Sequence, residues 1–543
     1  MIRIGILAPQ SLEFSSYSHR VFEQILDSDG MELCCLIVDR REGVSRATLE
    51  ELRSRSILAK MVFTAERYLF LRGEPAHGYR SERVERALHA LPLHEVRPER
   101  EGFVERFSVA DCRRLEDFDL DVILCDGFTM IEGPILDAAR HGVWMLHLAD
   151  SKTNRGGPAG FWEVYHREPC TGVTLHRLTH ELDSTFVIER GFYSTQRSAL
   201  GNNWFVREQA VPLVMDALQR LAAGKDLDPS PSCIYFNRLC EPPGTWQLLR
   251  YGTMLMGEIV NALWTRCLRH RNRWRLYLGK GDPFSAMLCR ARELPPPRGE
   301  FWADPFLIEH QGRLYCFFEN CTYARDRGQI SVAEVTEQGL GDVRDALVTD
   351  YHLSFPFVFA HEGEIYMIPE TSEAGRIEVW RAAQFPTQWV RFATALEGHS
   401  PADTTLYRDQ AGTWWMFSNL ARDASEDHCS ELHVFRVDGP TLRVIEPHPL
   451  NPVVRDSRSA RNGGRVFRRG GELYRIAQNN IHGIYGYGFS IQRIDRLSMA
   501  DYAETTVDWV EPNFDAGLVA SHHLDAAGGF YVADGRKKPS FRS

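Results

Sequence analysis

A repeated strand–turn–strand pattern in the second half of the chain constrains its fold more than any other sequence feature. Each copy combines an apolar strand, a turn that ends in glycine, and a second strand with an aromatic residue near its centre. The copies are Asp304–Glu319, Phe355–Glu370, Asp403–Asn419, Gly463–Gln478 and Ser521–Gly535, with starts 51, 48, 60 and 58 residues apart. Repeats of short strands at this spacing are typical of propeller blades, and five copies predict a five-bladed β-propeller.

Charged residues at matching positions of the repeats define a candidate pocket, because the inner strand of each propeller blade lines the central cavity. The residues expected there are Asp304, Glu370, Asp403 and Arg461. Several carboxylates in one pocket suit glycoside hydrolysis, in which one acts as acid and another as base or nucleophile. They equally suit sugar binding, because carboxylates accept hydrogen bonds from hydroxyls. A third interpretation is structural, with acids that cap turns and pair with arginine.

The repeat region also resembles a known domain. Three segments carry the likeness: Ala303-Asp304-Pro305-Phe306, the Phe-Pro-Phe of the second repeat, and DSRSAR from Asp456 to Arg461. They are similar to the N-terminal domain of glucosamine inositolphosphorylceramide transferases, over residues 302–535. The resemblance implies a shape related to five-bladed glycoside hydrolases, with a glycan as the expected ligand of the propeller.

Strand and helix signals alternate through the first 195 residues, which predicts a parallel α/β sheet. The predicted elements are strands at Ile2–Leu7, Leu33–Val38, Asp121–Cys125 and Gly142–Leu146, and a helix at Tyr17–Leu26. Ligands of such sheets bind beyond the carboxyl ends of the strands, where Asp126 and His147 lie. No GxGxxG follows the first strand, which argues against a dinucleotide site.

The stretch from Gly142 to Asp183 resembles the formyltransferase N-terminal domain family. Its matching residues, in the family's order, are His147, Arg155-Gly156, Thr171-Gly172-Val173-Thr174 and Asp183. One departure stands out, because Met145 occupies the place of the family's asparagine. Methionine cannot donate a hydrogen bond, and the loss of one oxyanion donor costs about 10²–10³ in rate.

This second resemblance implies transfer of a formyl or related acyl group to an amino sugar, with 10-formyltetrahydrofolate as the donor. His147 would polarise or protonate the oxyanion, and Asp183 would hold its charge state, since a nearby carboxylate favours the protonated imidazole. Asp150 is a second expected carboxylate partner for His147. The residues expected to bind substrate are Asn154, Arg155, Gly156 and Asp126.

A helical pattern runs between the two regions, from Ser198 to Ser285, with apolar residues at helical spacing in Val206–Ala223 and Leu249–His270. A proline-rich segment at 294–297 then marks a boundary. We therefore expect a formyltransferase-like α/β domain at 1–195, a helical linker region at 196–293 and the propeller at 294–543.

Composition narrows the function classes. The net charge of -10 argues against a nucleic-acid partner, which favours a basic face. The twelve cysteines show no CxxC pair, so no metal site is expected. No run approaches the roughly 20 apolar residues that span a bilayer, and MIRIGILAPQ lacks the marks of a signal peptide. A reduced, cytoplasmic compartment is the expectation.

These observations favour a cytoplasmic enzyme of glycan or sugar-nucleotide modification, whose first domain transfers an acyl group to an amino sugar while the propeller holds or processes a glycan. In the alternative, the propeller is the active part, as a glycosidase or glycan-binding module, and the first domain is a degenerate ligand-binding domain. A third interpretation is a scaffold that binds sugars without turnover. A small-molecule sugar or sugar nucleotide is the expected partner, and the oligomeric state is not predicted.

Overall fold

The computed structural model describes residues 1–8, 12, 14–41, 56–70, 78–101, 104–128, 130–150, 152, 154–180, 185–225, 227, 230–231, 237–267, 273–325 and 327–538. They divide into two compact units, Met1–Ile259 with Asp423–Ser425, and Val260–Arg422 with Glu426–Ser543. Within these ranges no helix is both long enough and apolar enough to cross a bilayer. The helices are α1 (Ser16–Leu26), α2 (Ile57–Phe70), α3 (Glu82–Ala90), α4 (Val109–Cys112), α5 (Phe161–His166), α6 (Ala199–Ala222) and α7 (Thr245–Cys267).

The first unit is built on a mixed sheet. Its strands, in chain order, are β1 (Ile2–Ala8), β2 (Met31–Asp39), β3 (Leu93–Val96), β4 (Glu99–Glu101), β5 (Val104–Arg106), β6 (Val122–Cys125), β7 (Met130–Glu132), β8 (Val143–His147), β9 (Cys170–Leu178), β10 (Thr185–Ser194) and β11 (Ser230–Pro231). The main sheet has the order β11-β10-β9-β8-β6-β1-β2-β3, and β4, β5 and β7 form a separate sheet.

The predicted parallel α/β sheet is confirmed for β8, β6, β1, β2 and β3. Strands β9, β10 and β11 extend it in the antiparallel direction, which the sequence analysis did not predict. The apolar pattern of a strand reports burial and not direction, so the two kinds of pairing look alike in sequence. His147 ends β8 and Asp126 follows β6, at the carboxyl ends of two neighbouring parallel strands.

Both faces of this sheet are buried. On β1, Ile4 and Ile6 face a core that includes residues of α1 and α6, whereas Leu7 faces a second core with Phe107 and Ile135. Successive side chains of a strand point to opposite faces, so a strand covered on both sides reads as a continuous apolar run. This explains why the first-unit strands were recognisable in the sequence.

The second unit consists of sheets of four or five strands, five of them within the described residues. The first comprises β14 (Glu300–His310), β15 (Arg313–Thr322), β16 (Arg327–Thr336), β17 (Gly339–Leu340) and β18 (Arg344–Leu347). The second comprises β19 (Ser354–His361), β20 (Glu364–Glu370), β21 (Ile377–Gln384) and β22 (Gln388–Ala395). The third comprises β23 (Ser400–Arg408), β24 (Trp414–Ala421), β25 (Glu431–Val437), β26 (Ile445–Pro447) and β27 (Val454–Arg455). The fourth comprises β28 (Asn462–Arg469), β29 (Glu472–Ile481), β30 (Ile484–Leu497) and β31 (Tyr502–Val510).

The fifth sheet combines strands from both ends of the unit: β12 (Arg273–Lys280), β13 (Arg292–Leu294), β32 (Leu518–Ala520), β33 (Leu524–Ala527) and β34 (Phe530–Lys537). Strand β12 pairs with β34 from Arg273↔Lys537 to Lys280↔Phe530. Each sheet contacts the next, and β12, β33 and β34 of the fifth contact β14 of the first. The repeats thus supply two neighbouring strands to each of five successive sheets, as the five-bladed prediction requires.

One expectation about the middle region is corrected. Strand β12 and the first two residues of β13 lie within residues 196–293, where a helical linker was expected. The stretch Arg273–Lys280 alternates buried apolar with less buried positions, a period-two pattern that follows a helix without a proline or glycine break. Its partner strand lies more than two hundred residues further along the chain, and a local pattern carries no information about so distant a pairing.

Candidate functional site

A backbone bulge recurs at the start of three repeats and aims their side chains. Asp304, Phe355 and Asp403 adopt left-handed conformations, with φ of +51°, +44° and +46°. Each lies in a break of the register between its strand and the next one. Left-handed backbone is unfavourable for most residues other than glycine, asparagine and aspartate, and it persists only where the surroundings hold it. Bulges of this kind re-aim side chains, often next to active sites.

Three of the predicted pocket residues meet in one hydrogen-bonded cluster. The Arg461 guanidinium donates from Nε to Asp403 Oδ2 over 2.7 Å and from Nη2 to Glu370 Oε2 over 3.1 Å. Gln478 donates a further bond of 3.0 Å to Asp403 Oδ2. The side chains of Arg461, Asp403 and Glu370 are only 10%, 2% and 13% exposed. The Tyr485 ring lies 5.0 Å from the guanidinium.

The pKa values of the two carboxyls of this cluster, Asp403 and Glu370, are shifted in opposite directions. Burial, together with the neighbouring Glu370 and Asp304 carboxyls, raises the pKa of Asp403 well above its usual range, against the attraction of Arg461. Burial also opposes ionisation of Glu370, but Arg461 and a hydrogen bond from Asp403 hold its pKa below the usual value. Of the two carboxyls, Glu370 is therefore the one whose ionised form is favoured, and Asp403 is the one that binds a proton more readily.

Asp304 supplies a third buried carboxyl. Burial raises its pKa to about 7, with further increases from Glu319, Asp534 and Glu370 that outweigh the opposing effect of His522. Its Oδ1 atom has no hydrogen-bond partner among the described residues. A carboxyl with this pKa is partly protonated at neutral pH, the property required of a general acid.

Sequence reasoning missed two members of this pocket, His522 and Asp534. Together with Asp304 they place ligand-type atoms within 4.8 Å of one another, so the cluster has the composition of a metal site. Both Asp534 oxygens already accept bonds from backbone N–H groups, which leaves a hydrogen-bonded network instead of an open ligand set. The signal was present in the sequence, since a pair of histidines stands at the start of the fifth repeat.

In the first unit, His147 is half-buried and hydrogen-bonded through Nε2 to the Asn154 carbonyl, 3.0 Å away. Desolvation lowers its pKa, and Arg155 lowers it further, against the Asn154 bond and the Asp150 charge. Burial and Arg155 therefore favour the neutral imidazole, and the effect expected from Asp183 on this charge stays a prediction. Asp183 lies outside the described residues.

Polar side chains of the loop after β8 form hydrogen bonds with nearby residues of the same unit. The Asn154 side chain donates to Glu163 Oε1 over 2.9 Å, and Asp150 Oδ1 accepts from the Lys152 backbone over 3.1 Å. Arg190 Nε lies 4.0 Å from Asp150 Oδ1.

The Arg155-Gly156 segment is pinned to Cys240. Cys240 N donates to the Arg155 carbonyl over 2.7 Å, and Gly157 N donates to the Cys240 carbonyl over 3.0 Å. Gly156 has a φ of +104°, and a Cβ there would lie 2.3 Å from the Cys240 oxygen. This close approach gives Gly156 a packing role that is independent of any substrate. Asp126 accepts from the Ser18 hydroxyl over 2.9 Å, so it is tied to the start of α1.

Comparison with known families supports the assignment of the second unit. Residues 286–526 match the family model described as "Glucosamine inositolphosphorylceramide transferase 1, N-terminal". Glucosamine inositolphosphorylceramide transferase 1 from Oryza sativa subsp. japonica is 35% identical over 258 residues, 44% of this chain and 34% of that protein. Its counterpart from Arabidopsis thaliana is 34% identical over 265 residues, 47% of this chain and 34% of that protein. The chain thus spans about a third of the length of these relatives.

Two solved structures show a distant similarity to parts of this chain. Glycinamide ribonucleotide transformylase 1 from Symbiobacterium toebii has a TM-score of 0.28 and 16% identity, covering 41% of this chain and 89% of its own. A GH43 beta-xylosidase/alpha-arabinofuranosidase from a compost microbial metagenome has a TM-score of 0.33 and 13% identity, covering 42% of this chain and 84% of its own.

Proposed function

We propose that this chain acts in glycan modification and that the propeller pocket formed by Asp304, Glu370, Asp403 and Arg461 is its sugar-binding and reaction site. The observation that carries the proposal is a buried cluster in which Arg461 bonds Asp403 and Glu370, beside a third buried carboxyl, Asp304, whose pKa is raised to about 7. Structural ion pairs do not need a carboxyl with a pKa near 7, whereas cleavage of a glycosidic bond needs one. The relatives that match this region are named as transferases, which favours a glycan-related transfer.

The chemistry follows from the protonation states. A glycosidic bond breaks when an acid protonates the leaving oxygen while a carboxylate stabilises or attacks the positive anomeric carbon. Asp304, partly protonated at neutral pH, is the proposed acid. Glu370, held ionised by Arg461, is the proposed carboxylate, and Asp403 and Arg461 are available to bind sugar hydroxyls. Transfer and hydrolysis differ only in whether a sugar hydroxyl or water takes the glycosyl group.

For the first unit, we propose a ligand-binding role in place of formyl transfer. The residues expected to hold a formyl oxyanion do not fit that task, because His147 Nε2 bonds the Asn154 carbonyl and the Asn154 amide bonds Glu163. Met145 offers no donor. No step through 10-formyltetrahydrofolate is therefore assigned. Stabilisation of the full chain by this folate in a thermal-shift assay, abolished by His147→Ala, would restore the formyltransferase interpretation.

The test of the propeller site is turnover by the full chain. Simple glycosides, oligosaccharides and nucleotide sugars are screened as substrates, and the active one is then used with the variants. Asp304→Asn and Asp403→Asn should each lower the rate at least 100-fold, while His147→Ala should retain it. Asp409→Asn, a carboxyl of the same unit that bonds the Trp415 indole outside the pocket, is the matched control. Full activity of both pocket variants would refute the proposal.

A further inference from the structure

Asp534, in β34, is the most heavily hydrogen-bonded carboxylate of the pocket. Its Oδ1 accepts from the backbone N–H groups of His522 and His523 over 2.9 and 3.1 Å, and its Oδ2 accepts from the Asp304 N–H over 3.2 Å. Nδ1 of His522 lies 2.6 Å from the same Oδ2. Burial opposes ionisation, but His522 holds the pKa of Asp534 below its usual value. Asp534 is thus a fixed negative charge, placed against one nitrogen of the His522 ring.

The His522 ring cannot turn away from this carboxylate. It stacks on the Trp274 indole with centroids 4.1 Å apart, and the Tyr485 ring meets it edge-on at 5.2 Å. Gly486 closes a third side, because a Cβ there would lie 2.7 Å from His522 Cβ. Nδ1 lies 2.6 Å from Asp534 Oδ2, and the opposite nitrogen, Nε2, lies 3.7 Å from Asp304 Oδ1. That oxygen is the one without a hydrogen-bond partner among the described residues.

We propose that Asp534 and His522 form a dyad that positions and recharges Asp304, with His522 Nε2 as the atom that exchanges a proton with Asp304 Oδ1. The inference rests on the proposed glycan chemistry of the pocket. In the step envisaged, protonated Asp304 gives its proton to the leaving glycosidic oxygen and becomes a carboxylate. The imidazolium of His522 then passes its Nε2 proton to Asp304 and becomes neutral, keeping its Nδ1 proton toward Asp534. Glu370 takes the proton that the acceptor hydroxyl or water releases and later returns it to solvent, and His522 regains a proton from solvent before the next turnover, so charge and protons balance over the cycle. The Asp304 carboxyl needs to move roughly 1 Å toward the ring to form the hydrogen bond.

The surrounding charges favour this arrangement. The charged and titratable groups that face Asp304 and His522 are Asp534, His523, Glu319, Glu370, Asp403, Arg461 and Tyr485. Burial opposes the imidazolium, but Asp534 and Asp304 raise the pKa of His522 above the usual histidine value. His523 is a natural contrast. It is equally buried, its Nδ1 lies 3.8 Å from Asp304 Oδ1, and burial lowers its pKa to about 3.

The first test measures the protonation of the His522 ring in the absence of any sugar. The full chain is labelled with 15N-histidine, and the His522 ring signals are identified by their loss in His522→Gln. We expect a doubly protonated ring at pH 7, which titrates at higher pH than free histidine and at lower pH in Asp534→Asn. A neutral His522 at pH 7, or an unchanged titration in Asp534→Asn, would overturn the proposal. So would a stoichiometric divalent metal that co-purifies with the chain and is lost in His522→Gln, since a metal-bound Nε2 cannot exchange a proton.

The second test measures kinetics with the substrate found for the propeller. His522→Gln should lower kcat by about 10²–10⁴ with KM changed less than about twofold, because general acid–base groups act mainly on the chemical step. Trp274→Phe loosens the stack while leaving the side chains of His522, Asp534 and Asp304 unchanged, so it should lower kcat less and shift the basic limb of the pH profile. His433→Gln, a buried histidine beside Glu431 in the same unit, is the matched control. An unchanged pH profile in both His522→Gln and Trp274→Phe refutes the dyad even where turnover exists. If His522 shows the raised titration that the proposal expects but the chain turns over no sugar, the proposed function is refuted and the dyad is not.

Discussion

Removal of Arg461 tests the electrostatic account of the pocket most sharply, and Arg461→Met is the perturbation of choice because it keeps an unbranched apolar stem. The substitution leaves Glu370 and Asp403, 13% and 2% exposed, without their cation. Breaking a buried ion pair by removing one partner costs about 3–5 kcal/mol. Arg436→Met is the control, since Arg436 and its partner Glu446 are 50% and 45% exposed. An exposed pair of this kind contributes about 0–1 kcal/mol.

The penalty should depend on pH in a defined direction. In the wild type Glu370 has a lowered pKa, so its contribution to stability is present above the unfolded value, about 4.3, and is lost as the pH falls. Without Arg461, burial instead raises the pKa of Glu370, and the variant must either bury a charge or bind a proton. The difference between wild type and variant should therefore grow as the pH rises. Urea unfolding followed by tryptophan fluorescence at pH 4.5 and 7.5 measures it. A penalty under about 1 kcal/mol at pH 7.5, or equal penalties at both pH values, would refute the reasoning.

Two further predictions concern the first unit. Burial raises the pKa of Glu66 to about 7, and its carboxylate accepts a hydrogen bond from the Leu200 N–H at the start of α6. Because folding favours the protonated form, the free energy of unfolding should fall as the pH rises from the unfolded-state pKa, about 4.3, through 7. Glu66→Gln should remove that fall and stabilise the chain at pH 8 by up to about 3 kcal/mol, seen as a higher Tm at pH 8 than wild type and little change at pH 5; an equal effect at both would contradict it. Gly156→Ala should lower the free energy of unfolding by about 1–3 kcal/mol, because its Cβ would lie 2.3 Å from the Cys240 carbonyl oxygen. Gly224→Ala is the control and should cost less, since Gly224 has open space around it and a φ of +69°. Equal losses of stability in the two variants would contradict the packing role of Gly156.

The propeller was predictable because its information is local and repeated. Each copy of the repeat contains the apolar pattern of two strands and the glycine of the turn between them, and all five copies predict the same architecture. The positions of Asp304 and Asp403 followed from the same alignment of repeats. Their left-handed backbone did not, because a bulge depends on the pairing of two strands and leaves no regular trace in the sequence.

The residues that sequence reasoning missed are those defined only by distant contacts. Strand β12 is defined by its pairing with β34, and the environment of Asp534 is defined by its contacts with His522 and the Asp304 backbone. The charge state of His147 depends on distant contacts for a related reason. A motif gives the neighbours along the chain, but the cost of desolvation depends on the packing of the folded unit.

The central claim, that the propeller pocket is where this chain binds a sugar, is tested most directly by calorimetric titration with the saccharide selected by the turnover screen. Asp403→Asn is the variant to use, because it replaces a carboxyl whose pKa burial raises well above its usual range with a neutral amide of the same shape. The account predicts at least a tenfold loss of affinity in Asp403→Asn and wild-type affinity in His147→Ala. Unchanged affinity in Asp403→Asn, with loss in His147→Ala, would contradict it.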